Sequence, residues 1–307
     1  MFLFQAIPWH SWLAWGLLLA GLMLLNEVTR LGKLAGLAFF VALPLALSVF
    51  VWPKTSGAGS GAQTANWFAW VKTYSALVGC YIGLLLRFSR KAQARKWCYV
   101  LPAAILVLNI IEAIARELEV MGMAAGVVDG MFYLGGPWNA MNALAGLLNI
   151  LTLSGWFGIL ITKDRRHDLV WPDMTWFWIV AYDLWNFAYV YNCLTDRAFF
   201  SAALLLSCTI PAFLIKKGAW AQHRVHTLAI YMMLMLTIPN FFVSGKYAVA
   251  STHSPAAYYA VSALALAFNL GVAAYQLRVI LRTRRNPLKD DLYAGTPAYE
   301  ALRKANS

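Results

Sequence analysis

The chain alternates long apolar runs with short polar or charged connections. Nine runs are long enough to cross a bilayer: 11–28, 34–51, 67–86, 98–115, 138–161, 171–193, 198–215, 225–244 and 257–281. The pattern predicts an all-α fold, a polytopic transmembrane helical bundle of about nine spans. Residues 1–285 form the bundle domain, and 286–307 a polar cytoplasmic tail expected to be loosely ordered. The connection 120–137 is glycine-rich, weakly apolar and interrupted by Asp129. It reads as an outer loop with an interfacial or re-entrant element. Breaks in helices are expected at Gly135-Gly136-Pro137 and at Ile238-Pro239-Asn240, because proline removes a backbone donor. Trp52, Trp67, Trp97, Trp138, Trp171 and Tyr258 stand at run edges, where an interfacial aromatic belt belongs.

Composition agrees with this pattern. Of 307 residues, 61% are hydrophobic and 12% charged, about half the charged share of a soluble domain. The formal net charge of +12 would suit a nucleic-acid partner, but no basic-aromatic groove or nucleic-acid motif accompanies it. Lysine and arginine instead collect at alternate ends of the runs. With the N-terminus outside, twenty of the 25 fall on the inner side, which predicts an N-out/C-in orientation. Were 120–137 a span, every later basic loop would face outward. The N-terminus lacks a basic n-region followed by a cleavage site, so no cleavable signal peptide is expected. Cys80, Cys98, Cys193 and Cys208 lie in or beside the runs without CxxC spacing and read as small core hydrophobes.

Candidate chemistry comes from polar residues spaced three and four apart inside the runs. One stripe is Asn109, Glu112, Arg116. Another is Asn139, Asn142, Asn149. A third is Tyr182 or Asp183, then Asn186 and Tyr189, with Asn192 beyond. A fourth is His226, Thr237, Asn240, Ser244. Asparagines of this kind commonly join helices, at roughly 0.6–2 kcal/mol each. Ionisable groups at membrane depth cost more and need a partner or a wet cavity. Asp183 has no opposite charge three or four residues away, and Lys72 matches it in depth, so a cross-helix pair is expected. Glu112 and Arg116 are spaced to pair along their own helix. Together these residues outline an outward-opening polar cavity on spans three to six, for substrate binding or proton coupling. Glu27, Asp173, His223 and His226 fall at the inner ends of their runs and form a candidate metal cluster, although no HExxH or third histidine supports it. No other cofactor is expected. Nucleotide-binding glycine loops, a GxSxG elbow, voltage-sensor arginines and paired haem histidines are absent from the sequence, and a retinal Schiff base would have only Lys72 or Lys246, both near span ends.

The stretches WPDMTWFWIVAYDLWNFAYVYNC (171–193), NIIEAIAR (109–116), NALAGLLNILTLSGWFGI (142–159) and KKGAWAQHR (216–224) resemble a family of uncharacterised bacterial integral-membrane proteins, a domain of unknown function. The resemblance covers spans one to eight. It implies a bacterial inner-membrane protein and brings no established substrate or catalytic residue. The functional expectation is therefore a permease for a small solute, in contact with the lipid bilayer, with Asp183 or Glu112 as the coupling acid. The rival readings are a membrane-embedded enzyme acting on an amphiphile through the Glu27, Asp173, His223, His226 set, and a non-catalytic accessory or sensor subunit.

Overall fold

A computed structural model describes residues 2–128 and 130–306. Its long helices are α1 (Trp9–Arg30), α2 (Lys33–Phe50), α3 (Trp67–Phe88), α4 (Leu101–Met121), α5 (Pro137–Leu151), α6 (Trp176–Cys193), α7 (Ala198–Leu214), α8 (Trp220–Thr237) and α9 (Pro255–Thr283). Each falls on one of the nine apolar runs. Among the described residues, six helices are long and apolar enough to span a membrane: Trp9–Arg30, Lys33–Phe50, Trp67–Phe88, Lys96–Met121, Thr195–Leu214 and Pro255–Thr283. The other three, α5, α6 and α8, are shorter or more polar; α6 and α8 are mostly buried, while α5 keeps one exposed apolar stripe, Leu144, Leu147 and Leu151.

Burial explains this division. The buried positions of α9 form one stripe, Tyr258, Ser262, Ala265, Asn269, Val272 and Gln276, at spacings of three and four. Its other faces show Leu264, Phe268, Leu277 and Leu281 to the outside. Leu17 and Leu24 on α1 and Leu45 and Phe50 on α2 are likewise exposed, an apolar surface far larger than a soluble monomer carries. In α8, by contrast, all but four of eighteen residues are buried, so α8 is the central helix. Gly146 lets α5 close onto α6. A Cβ there would stand 2.7 Å from Trp185 Nε1 and 2.9 Å from Ile114 Cγ1. Gly146→Ala is expected to cost about 1–3 kcal/mol through overpacking, read as a lower Tm of the detergent-solubilised protein.

Several boundaries differ from the sequence expectation. The fifth run stops being helical at Leu151, and residues 152–161 lead into a two-stranded ribbon, Leu160–Ile161 with Leu169–Val170. Gly155 turns the chain with φ +66° against Asp173, at a point where a Cβ would meet the Asp173 side chain at 2.3 Å. The sixth run becomes helical only at Trp176, which leaves Trp171, Pro172 and Asp173 in the preceding turn. Residues 120–137 carry a hairpin of Gly126–Val128 and Met131–Tyr133, while Asp129 lies outside the described residues. At Gly135-Gly136-Pro137 a helix simply begins. At Ile238 the helix does break, restarting as Pro239–Val243.

Two ends of the bundle can be told apart by their contacts. At the basic end, Arg30 meets Asp168, Arg87 donates to the carbonyls of Arg166 and His167, and Lys216 reaches Asp164. The tail is folded here and not loose. Asp173 accepts from the Leu292 and Tyr293 amides at 3.1 and 2.7 Å, and a helix α10 (Pro297–Asn306) follows with Tyr299 buried. At the far end, the first residues pair with the segment before α9. Phe4 bridges Ser251, and Gln5 N donates to Ala250 O at 3.0 Å.

Candidate functional site

The polar residues of the interior fall into separate clusters. The first lies at the basic end. Arg30, 1% exposed, closes a two-pronged bond on Asp168, Nε to Oδ1 at 3.0 Å and Nη2 to Oδ2 at 2.8 Å. Gln222 adds a third donor at 2.7 Å. Burial alone would raise the Asp168 carboxyl, but the Arg30 and Gln222 hydrogen bonds outweigh it and hold the group well below the usual carboxylate range. Asn26 donates to His223 Nδ1 at 2.7 Å, and Thr29 lies 3.0 Å from His226 Nδ1. One turn of α1 therefore fixes both histidines of α8.

The second cluster surrounds Glu117 on α4. This fully buried carboxylate accepts from the Asn139 and Asn142 amides at 2.6 Å each, and from Asn192 at 3.2 Å. No cation touches it among the described residues. In the third, Asp183 on α6 accepts from Thr209 at 2.6 Å, whose hydroxyl in turn accepts from Trp220 Nε1 at 3.0 Å. Asp183 Oδ1 is buried without a partner.

The fourth cluster is cationic. Arg224 on α8 is 5% exposed. Its Nε lies 3.4 Å from the Tyr182 hydroxyl and its Nη2 3.3 Å from Asn186 Oδ1, while Nη1 has no partner. Arg197, just before α7, is 4% exposed. It donates to Gln63 O at 3.0 Å and contacts Met235 sulfur, and its Nε has no partner. Among the described residues neither guanidinium has a carboxylate within ion-pair distance.

Arg224 stands between two cavities of about 60 Å³ each, room for roughly four waters apiece. One is bordered by Ala76, Gly79 and Gly83 of α3, by α8 from Trp220 to Leu228, and by Leu169. The other is bordered by Phe68, Ala69 and Lys72 of α3, by α8 from Arg224 to Met235, and by Tyr189 and Arg197. Along both helices the first cavity occupies the basic half and the second the far half. Arg224 and Leu228 line both.

The expected residues are partly regrouped. Tyr182, Asn186 and Tyr189 do share a face, which looks onto Arg224 and the far cavity. Asp183 points elsewhere, to Thr209. Lys72 pairs with Glu112 at 3.1 Å rather than with Asp183, and its Nζ also donates to Asn109 O. Arg116 pairs with Glu119 at 2.5 Å and donates to the Tyr133 hydroxyl at 2.7 Å, so the Glu112–Arg116 pair along α4 does not form. Asn142 serves Glu117, and Asn149 reaches only its own helix at Ala145 O. The cavity expected on spans three to six is instead built from α3, α4, α6, α7 and α8. The four residues of the metal cluster do not come together. Glu27 pairs with Arg30 and Arg166, Asp173 holds the tail, and the histidines face Asn26 and Thr29. Among the described residues no three metal-ligating side chains converge.

Glu117, Arg197, Arg224 and Tyr231 are the residues that sequence reasoning passed over. Glu117 continues the buried stripe Ile110, Ala113, Val120 of α4, a signal that small and apolar residues carry more plainly than polar ones. A family of unknown function, DUF5692, matches residues 5–305. No curated protein and no solved structure matches the chain.

Proposed function

We propose a small-solute permease role for this chain, which belongs to the family of unknown function DUF5692. In this reading it crosses a bacterial inner membrane nine times, N-terminus outside and C-terminus inside, and the basic end faces the cytoplasm. One observation carries the reading: two small cavities succeed one another along α3 and α8 and meet at Arg224 and Leu228. A helix bundle held together by packing alone has no need of successive cavities that meet at one buried charged side chain. Both cavities are small, so the arrangement is that of an occluded transporter rather than an open channel. Asp183 is the coupling acid in this scheme. It carries an orphaned oxygen and no cation, and through Thr209 and Trp220 it adjoins the helix that bears Arg224.

Reconstituted vesicles test the proposal. Solute-driven swelling, measured by light scattering over a panel of anionic, neutral and cationic solutes, is expected to exceed that of protein-free vesicles for one charge class. Leu228→Trp, which fills the junction without altering charge, is expected to return it to background. Background swelling for every class in the wild-type protein would end the permease reading. Asp183→Asn is expected to keep the folded state, since no cation loses its partner, and to abolish the response of flux to a proton gradient. A response equal to wild type would remove Asp183 from the coupling step.

A further inference from the structure

The far cavity is short of acceptors and supplied with donors. Four of its lining residues carry a buried polar atom with no partner: Arg197 Nε, Arg224 Nη1, and the hydroxyls of Tyr189 and Tyr231. Each of these atoms can donate, and none is a carbonyl or carboxylate oxygen. Their residues are at least nine-tenths buried: Arg197 4%, Arg224 5%, Tyr189 3% and Tyr231 3% exposed. Lys72 adds a third cationic group at the wall, though Glu112 occupies it.

Charge points the same way. Removing a guanidinium from water without a counter-charge is costly, and buried charges are therefore normally paired. The bundle contains carboxylates that could have served. Asp183 lies on the same helix as Asn186, the Arg224 partner, yet it is turned to Thr209. Glu117 is enclosed by three asparagine amides. Among the described residues no carboxylate pairs with Arg224 or Arg197, which leaves both open to a counter-charge from a ligand. Phe68, Leu204, Met232 and Met235 form the remaining wall, which suits a carbon skeleton.

We propose that the far cavity binds a small organic oxyanion, a carboxylate or phosphate group held by Arg224 and Arg197 with the Tyr189 and Tyr231 hydroxyls. This rests on the permease reading only for what happens afterwards, since binding can be measured without flux.

The full-length protein in phosphatidylcholine nanodiscs is titrated with acetate, succinate, inorganic phosphate, glycerol and choline chloride, and its Tm is followed. At least one of the three oxyanions is expected to raise Tm in a saturable way, with glycerol and choline without effect. Arg224→Gln and Arg197→Gln are each expected to erase the shift. Should these two fail to fold, Tyr231→Phe decides. It deletes a hydroxyl that bonds nothing in the protein, so the unliganded Tm is expected to hold or rise while the anion-induced shift falls. No shift from any of the three oxyanions, a shift from choline instead, or an anion shift unchanged in Tyr231→Phe and both arginine variants would overturn the assignment. A shift produced by replacing phosphatidylcholine with phosphatidylglycerol, dependent on Arg224 and needing no added solute, would assign the oxyanion to a lipid headgroup. Binding without flux would remove the permease reading and leave the site standing, while flux of a neutral solute with no anion shift would do the reverse.

Discussion

Arg30→Ala is expected to destabilise the protein by about 3–5 kcal/mol, the usual cost of stranding one member of a buried ion pair. Arg30 and Asp168 are each about 1% exposed at the side chain. Removing the guanidinium leaves the carboxylate with the Gln222 amide as its hydrogen-bond donor, which is not a cation. The loss should depend on pH with a definite sign. In the wild type the Asp168 pKa is depressed, so its contribution is fully present above the ordinary carboxylate range near 4 and disappears as pH falls through and below it. In the variant burial is opposed only by the Gln222 hydrogen bond and the Arg87 charge, so the Asp168 pKa rises from its wild-type level and the penalty fades as the group protonates. The Tm gap between the two proteins in detergent should therefore narrow from pH 7.5 to pH 4.5. A gap that is constant or widens would mean that Asp168 is not the stranded group.

Glu117→Ala should be nearly as damaging for the opposite reason. It removes an acceptor and leaves the Asn139 amide without a bond, Asn142 with the Trp185 carbonyl alone and Asn192 with Ser262 alone. Each buried donor so orphaned costs about 1–3 kcal/mol. Glu117→Gln restores one acceptor and is expected to recover part of the loss, because the asparagine amides can rotate to receive its donor. Thermal unfolding of the two variants beside wild type separates these effects. If Ala and Gln are equally mild, the asparagine cage contributes little to the fold.

How far the sequence reached follows from these same residues. The nine helices were legible because lipid-facing surface demands length and apolarity, and both are written as continuous runs. The interior was less legible. A polar stripe such as Asn109, Glu112, Arg116 marks the border of a packed face, while the face itself is Ala103, Ile110, Ala113, Glu117 and Val120. Periodicity reports that a helix has two sides but not which neighbour each side meets. Asp183 was recognisable as unusual, yet its partner is a threonine, a residue type that carries no charge signal. Arg224 and Arg197 were hidden by position. Basic residues within a turn of a run's edge usually extend to the interface, and the orientation count treats them as loop charges. Only the packing of α8 at the centre shows that Arg224 is buried.

The bonds that join Leu3, Phe4 and Gln5 to residues 250–252, and Arg30 to Asp168, bear on how the chain is made. The first helix is made with Arg30 paired only to Glu27 of its own last turn and with the leading segment unpaired. It waits more than a hundred residues of synthesis for Asp168 and nearly the whole chain for residues 250–252. Biogenesis therefore ends with a closure step rather than proceeding helix by helix. Nascent chains released before the ninth helix should be the species that quality-control proteases remove.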